Sequence, residues 1–497
     1  MISDNDMIKM VFGFKVKYLR QKAEFSYQQL ADLTGLSTSY LHDIEKGRKY
    51  PKVDKINNLA SALKVDYDFM VSKKASKKLQ PVIDFLTSDF LKDFPLEWFG
   101  INPQELFELF SKTPDKVNAF INTILKITRN YQMESERIYL AALRSYQDMY
   151  DNYFEEIETA VKTFKTQNKL KKQVPYSTSY LENLLFRNYS IKTDRKVLNK
   201  YKALKGKRSY FSQAKKNLYI NNNLSPAQEN FLIGREIAFQ YLKVEERPVL
   251  TRIGAINSFE KLLNNFKASY FSVALLMDEE SLVHDIKTLM SKARWENSHF
   301  LNLLTKYDVT PEMLLQRMTN ILPQHFDIRN LFFIRLASEN DLKRYRMTKE
   351  LHLAQAQSPY ANELNEHYCR RWVSVNIIKK LGADFNRKDQ HSPIADAQIS
   401  SYYQTNNQYL CISIAKTDAR NLNDPSSVTI GLLINEQTRK MIRFLSDPKL
   451  PIREVSTTCE RCAIPNCEAR VARPIALERS NQRILEQEAM KEIDQGS

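Results

Sequence analysis

From Ile8 to Val71 apolar residues recur every three or four positions in short runs broken by turn signals, which predicts a compact series of short helices. The first run is amphipathic, carrying Val11, Phe14, Tyr18 and Leu19. Ser26-Tyr27-Gln28-Gln29 then reads as a capping box, the Ser26 hydroxyl serving the Gln29 backbone N–H while the Gln29 side chain reaches back. That helix should run through Leu30, Ala31 and Leu33 to Gly35, where a positive φ comes at little steric cost and the chain can turn sharply. Ser37 is positioned to cap a second helix, Thr38 to Glu45, with Leu41 and Ile44 inward, Thr38, Ser39 and His42 outward, and Gly47 at its end. The expected unit is helix, tight turn, helix.

Further along, Lys73-Lys74-Ala75-Ser76-Lys77-Lys78 is too polar to pack and reads as a charged linker. Helical periodicity returns over residues 81 to 165. From Tyr139 the residues Tyr139, Leu143, Tyr146, Tyr150, Tyr153, Ile157, Ala160 and Phe164 alternate spacings of four and three, which is a heptad seam. Such a seam pairs with its copy in a second subunit or packs onto its own domain; its aromatic content favours intramolecular packing or a bundle over a bare two-stranded coil. Short extended pieces follow at Tyr189-Ser190-Ile191 and Asn217 to Ile220, then a helix from about Ser225. After residue 331, β-rich runs at Tyr409 to Ile414 and Val428 to Ile434 point to an α/β sensor-like domain.

The chain has 497 residues, 43% hydrophobic and 27% charged, the profile of a globular rather than a disordered chain. Ten glycines are few, so folds built on Gly-rich phosphate loops are disfavoured. No apolar run approaches the roughly 18 residues that span a bilayer, and the Met1-Ile2-Ser3-Asp4-Asn5-Asp6 start is acidic where a secretory signal is basic and then apolar; a cytoplasmic location is expected, with no membrane partner. Net charge is +16, and residues 161 to 220 hold 16 Lys/Arg against Glu182 and Asp194, a local net of +14. That balance suits polyanionic partners or a solvated basic surface. Three of the five cysteines fall between Cys459 and Cys467 as C-x2-C-x4-C. In a reducing compartment such spacing suits several thiolates on one soft metal centre better than a disulfide.

Ser26-Tyr27-Gln28-Gln29-Leu30-Ala31, Gly35 to Leu41, Ile44-Glu45-Lys46-Gly47-Arg48 and Pro51 together resemble a phage-repressor-type (XRE) helix-turn-helix. The resemblance implies a second helix in the major groove, with Thr38, Ser39 and His42 facing bases, Tyr27, Gln28, Arg48 and Lys49 on the phosphate backbone, and Ser37 and Tyr40 within the same interface. Tyr27 departs from the family, which commonly has Gln at that place.

Gly234-Arg235-Glu236-Ile237-Ala238-Phe239-Gln240, with Asn217 to Ser225 before it and Phe271 to Met277 after it, resembles an ImmA/IrrE-type metallopeptidase domain. Active members read His-Glu-x-x-His here, two histidines on one helical face gripping zinc while the Glu polarises water. Arg235 and Phe239 occupy the histidine positions and cannot ligate zinc. Residues 261 to 277 offer no Asp or Glu as a third ligand. No zinc is therefore expected at this degenerate site, and Glu236 is expected to be a solvent-facing helix residue.

The order of these parts, with Cys369-Arg370-Arg371-Trp372 and the cysteine cluster, resembles the short-chain fatty-acyl transcriptional regulators over essentially the full length. That resemblance implies a DNA-binding regulator whose C-terminal half senses acyl-CoA, with a four-iron (4Fe-4S) cluster on cysteines in at least one branch. The implied metal ligands are Cys369, Cys459, Cys462 and Cys467, with Cys411 a small buried hydrophobe on a strand; Leu432 stands where many members carry a further cysteine. Zinc on four thiolates is the alternative, and reduced cysteines that only pack are a third reading. Lys205, Lys207 and Arg208 are candidates for the effector's phosphates, although the basic stretch could equally track DNA. The expected fold is mainly α with α+β. A five-helix XRE helix-turn-helix spans 1–72, a charged linker 73–80, a helical dimerisation region 81–172, a degenerate zincin-like domain 173–330 and a C-terminal α/β sensor-like domain 331–497. The expected protein is a non-enzymatic, homodimeric regulator of operator DNA. Its rivals are a metallopeptidase that cleaves a repressor and a ligand-independent, antitoxin-like DNA binder.

Overall fold

The computed structural model describes residues 4–72, 99, 135–170, 175–204, 206–248, 258–338, 342, 344–353, 366–383, 392–418 and 421–495. The charged linker, the helical pattern over 81–134 and Lys205 lie outside them. Two compact units emerge, Met1–Tyr146 with Ile253–Leu263, and Gln147–Arg252 with Asn264–Ser497.

The first unit opens with five helices: α1 (Asp4–Lys22), α2 (Tyr27–Thr34), α3 (Thr38–Glu45), α4 (Val53–Ala62) and α5 (Tyr67–Val71). The Ser26 capping box forms as the sequence predicts, and Gly35 adopts φ 70° at the end of α2. Phe12, Val16, Leu30, Leu41, Ile44, Ile56, Leu59 and Met70 make the shared core. Helix α1 crosses α3 so closely that a Cβ on Gly13 would lie 2.1 Å from the Ile44 carbonyl oxygen, so no larger residue fits there without moving backbone. Arg20 on α1 clamps the last residue of α3 through a bidentate pair, Nε and Nη2 donating to Glu45 at 2.6 and 2.9 Å.

The heptad seam is not one helix. It is split between α6 (Ser135–Met149) and α7 (Glu155–Gln167), with Asp151 and Asn152 in the left-handed region at φ 48° and 53° between them. Its later members pack inside their own domain: Phe164 meets the rings of Tyr241 and Phe271, and the Tyr153 hydroxyl donates to Glu279 at 2.8 Å. The aromatic rings thus fill a local core instead of a continuous stripe.

The second unit continues with α8 (Thr178–Tyr189) and a three-stranded sheet, β1 (Lys192–Asp194), β2 (Ser209–Ser212) and β3 (Asn217–Ile220), in the order β1-β3-β2. Tyr189-Ser190-Ile191, expected to be extended, instead ends α8, because Ser190 turns the chain at φ 58° and the strand starts at Lys192. Helices α9 (Pro226–Tyr241), α10 (Phe259–Leu276), α11 (Glu279–Met290), α12 (Asn297–Tyr307) and α13 (Pro311–Phe326) follow. Within this helical layer Arg317 is fully buried in a two-bond pair with Glu158, which also accepts from the Tyr270 hydroxyl at 2.7 Å.

A six-stranded mixed sheet then forms from β4 (Leu331–Ser338), β5 (Tyr345–His352), β6 (Ile394–Tyr402), β7 (Gln408–Asp418), β8 (Asn421–Leu433) and β9 (Ile452–Val455), ordered β5-β4-β8-β7-β6-β9. Helix α14 (Val373–Ala383) packs on β6, β7 and β8, while α12 and α13 pack on β4, β6 and β8. Coverage of both faces explains why β7 and β8 read as near-continuous apolar runs. A short helix, α15 (Glu436–Met441), and a long terminal one, α16 (Ile475–Gln495), complete the chain. The architecture is mainly α with α+β.

Candidate functional site

Ser37 caps α3, its hydroxyl accepting from the Tyr40 N–H at 3.2 Å, and that cap leaves Thr38 and Ser39 exposed on the first turn. His42 is half-buried, its ring 5.9 Å from that of Tyr27. Arg48 and Lys49 are exposed just past Gly47, and both lean on Asp43, at 3.8 and 3.0 Å. Lys55 and Lys49 sit over the Tyr40 ring, 4.5 and 5.5 Å from its centroid. Gln28 is exposed and donates to Asp32. The result is a polar helix edge flanked by cations, built on a rigid core.

Tyr27 corrects the sequence reading. Its hydroxyl donates to Glu45 at 2.8 Å and its ring lies under the Arg20 guanidinium at 4.1 Å. A phosphate is only an acceptor, so a phenol whose single proton is already given to a carboxylate has none left for the DNA backbone. Burial, the Glu45 hydrogen bond and its charge push the Tyr27 phenol up to about 12. Tyr27 is a strut between α2 and α3.

In the peptidase-like domain, Glu236 is also corrected: it is buried, not solvent-facing. It accepts from Arg247 Nη1 and from Gln240 Nε2, each at 2.8 Å. Arg247 lies over the Phe211 ring at 4.0 Å and 5.4 Å from the Phe239 centroid, so a guanidinium sits beside the glutamate and against the ring that replaces a zinc-binding histidine. Arg235 flanks the same ring at 5.8 Å and reaches Asn265 at 3.4 Å. Burial and the nearby Arg208 and Arg247 charges push Arg235 down to about 10, against the pull of Glu236.

Arg208 is half-buried and acts electrostatically on both Arg235 and Glu312. Glu312 is paired with Lys349 and, at 3.5 Å, with Arg335. Burial opposes its ionisation, but the charges of Lys349, Arg335 and Arg208 prevail and hold it near about 2. Arg208, Arg235, Arg247, Arg335 and Lys349 therefore share only Glu236 and Glu312. Lys207 is half-buried beside this cluster in sequence, its carbonyl accepting from Asn221. Sequence reasoning reached Arg208 but not Arg247, Glu312, Arg335 or Lys349; nothing local signals a cluster drawn from a loop, a helix and two distant strands.

The four cysteines are brought together by backbone pairing. The Cys369 N–H donates to Thr457 O at 3.0 Å, the Cys459 N–H to His367 O at 2.8 Å, and Tyr368 bridges Thr458. Cys369, Cys459, Cys462 and Cys467 line one small cavity with Arg370, Arg371 and Arg470. Glu460 fixes the C-x2-C turn, accepting from both the His367 N–H and its ring Nδ1 at 2.8 Å. All five cysteines are unbridged. Burial pushes the Cys369 thiol up to about 11, aided by Cys459 and Cys462 and opposed by backbone N–H groups. The donor chemistry and the surrounding cations fit an anionic thiolate centre, yet among the described residues no three His, Cys, Asp or Glu side chains converge closely enough to hold a metal ion. Cys411 is buried on β7 among Phe332, Trp372 and Tyr402, and burial pushes its thiol up to about 12.

These parts define the class. Residues 16–70 match the helix-turn-helix family, and residues 195–319 match the IrrE N-terminal-like domain. The chain thus joins a DNA-binding module of XRE type to an IrrE-like peptidase-type domain. Among solved structures it is similar to a Mycobacterium tuberculosis transcriptional regulator, at 14% identity and a TM-score of 0.46, covering 66% of this chain and 92% of that one. No curated protein matches the chain. Among the described residues no helix is long and apolar enough to cross a membrane.

Proposed function

We propose that this protein is a transcription regulator that binds operator DNA through α3 and responds to a short-chain acyl-CoA or related anionic metabolite held by its IrrE-like body. The observation that carries the reading is the exposed Thr38–Ser39 edge, which stands beside Arg48 and Lys49 on a helix clamped by Arg20 and Glu45. Base edges are read by polar side chains on a rigid helix, while neighbouring cations hold phosphates.

For the effector, the support is the excess of cations around Arg208, Arg235 and Arg247, which suits the pyrophosphate and 3′-phosphate of a coenzyme A thioester. Lys207 lies next to it and Lys205 remains a candidate. Occupancy would bias one arrangement of the DNA modules over another. Arg235 and Phe239 in the histidine positions, with Glu236 committed to Arg247, support a non-catalytic role. Acting on DNA places the protein in the cytoplasm.

Cys369, Cys459, Cys462 and Cys467 would hold a metal centre, an iron–sulfur cluster being the form the family resemblance implies and zinc the alternative. Such a centre would supply a redox-responsive or structural clasp between the Cys369 and Cys459 loops. Elemental analysis and a visible absorbance band after anaerobic purification decide between them.

The deciding experiment is a shift assay on promoter fragments from the source genome with and without acyl-CoA, beside thermal shifts with the same thioesters. The expected result is specific retardation whose strength changes with acyl-CoA. Binding no tighter than to random duplex overturns the DNA reading. An unchanged melting temperature and affinity across all chain lengths overturns the effector reading. The IrrE-like match favours one rival, a regulator-cleaving peptidase; peptide hydrolysis abolished by chelation would establish it instead.

A further inference from the structure

The terminal helix α16 has no partner within the chain. It is anchored only at its root, where the Ala476 N–H donates to Glu460 O at 3.0 Å and Arg473 pairs with Glu478 at 2.9 Å. Every residue from Glu478 to Lys491 is exposed, and the large apolar side chains among them and at the ends, Ile475, Ile484, Leu485, Met490 and Ile493, are open to solvent by 44 to 73%. Among the described residues, no side chain beyond Glu478 makes a hydrogen bond or ion pair with another element; the one side-chain bond there is Gln482 to Glu486 inside the helix. Even Ala-rich helices of about 15 residues are marginal in water without packing, and this one carries Ser480 and Asn481 in its first half. Its stability has to come from something that covers it.

Its charge pattern indicates what. Arg479 and Arg483 lie in the first half, whereas Glu486, Glu488, Glu492 and Asp494 lie in the second with Lys491. Laid parallel, two such helices would set arginines against arginines and four acids against four acids. Laid antiparallel, the basic half of each meets the acidic half of the other along about 30 Å of helix, and Leu485, at the midpoint of the 21 residues, meets the middle of its partner. The pairing is isologous and closes as a twofold dimer.

We propose that α16 is the self-association element of this protein, docking antiparallel on the same helix of a second copy. The proposal stands apart from the DNA reading, since it concerns oligomeric state alone.

Sedimentation velocity on the full-length chain tests it. The parent protein is expected to be a dimer. The variant carrying Leu485→Asp and Ile493→Asp is expected to be monomeric at concentrations where the parent is dimeric, with unchanged far-UV dichroism, because neither residue packs on the body. Arg479→Gln with Arg483→Gln discriminates orientation: loss of cross-helix attraction should weaken the antiparallel dimer about tenfold, while a parallel pair would tighten through relief of repulsion. A monomeric parent protein, a dimer that survives Leu485→Asp with Ile493→Asp, or a tightening on arginine removal each overturns the proposal.

Discussion

Arg247 donates to Glu236 at 2.8 Å while stacked on Phe211, so a guanidinium supplied by the chain itself stands beside the glutamate that the peptidase signature assigns to catalysis. A carboxylate that would otherwise face a metal-bound water is held ionised by an internal cation. The pair couples α9 to the segment after it and removes the need for any bound metal in that fold.

Arg247→Ala should leave Glu236 buried with Gln240 as its remaining printed partner. Breaking a buried pair from one side costs about 3 kcal/mol, read as a lower urea midpoint at unchanged slope. Combining it with Glu236→Gln should recover part of the loss. An Arg247→Ala protein as stable as its parent would show the pair to be incidental.

On the DNA side, base and phosphate contacts separate by salt dependence. Thr38→Ala or Ser39→Ala should weaken operator binding by about 1–3 kcal/mol, relax specificity and leave the salt slope unchanged. Arg48→Gln or Lys49→Gln should weaken specific and random duplex alike and lower the slope by about 0.9 each. Fluorescence anisotropy across a salt series distinguishes the two; a slope change on Ser39→Ala would move that residue to the backbone class.

Tyr27→Phe isolates the strut. Losing the hydrogen bond to Glu45 should cost about 1 kcal/mol of stability without altering the salt slope of operator binding, because the phenol proton is not offered to phosphate. A fallen slope would restore Tyr27 to the DNA interface.

Glu279 provides a pH test. Burial opposes its ionisation, but hydrogen bonds from Lys162, His325 and Tyr153 and the Lys162 charge draw it from 4.5 to about 2. A carboxyl depressed on folding binds more protons when unfolded, so its contribution is present above about pH 4.5 and disappears as pH falls towards 2. Glu279→Gln should flatten that part of the stability–pH curve measured by urea midpoints between pH 5 and pH 2. A curve that keeps its parent steepness would assign the acid sensitivity elsewhere.

The cysteines divide by environment. Serine at Cys369, Cys459, Cys462 or Cys467 should lower metal content after anaerobic purification, whereas Cys411→Ala should leave it unchanged and cost about 1 kcal/mol of core packing. Metal loss on Cys411→Ala, with the fold intact, would bring that thiol into the ligand set.

Local chemistry made much of this protein legible in its sequence. The Ser26 capping box, the Gly35 turn and the Ser37 cap are settled by residues within four positions of one another, and the structure forms each of them. The apolar runs at Tyr409 and Val428 likewise mark strands β7 and β8, because burial on both faces leaves a continuous signature. The seam from Tyr139 to Phe164 failed as a single helix because its break is made by Asp151 and Asn152, residues that tolerate a left-handed turn without announcing one.

Tertiary structure alone decided the rest. Whether Tyr27 faces DNA or Glu45 depends on a residue 18 positions away, and whether Glu236 is exposed depends on Arg247 folding back over Phe211. The cation cluster joins Arg208 to Glu312, Arg335 and Lys349, and the cysteine cavity joins Cys369 to residues some ninety positions later. Sequence patterns report what neighbours along the chain do to each other; the sharing of a carboxylate, a ring face or a thiol-lined cavity is fixed only when distant segments exclude water from the same place.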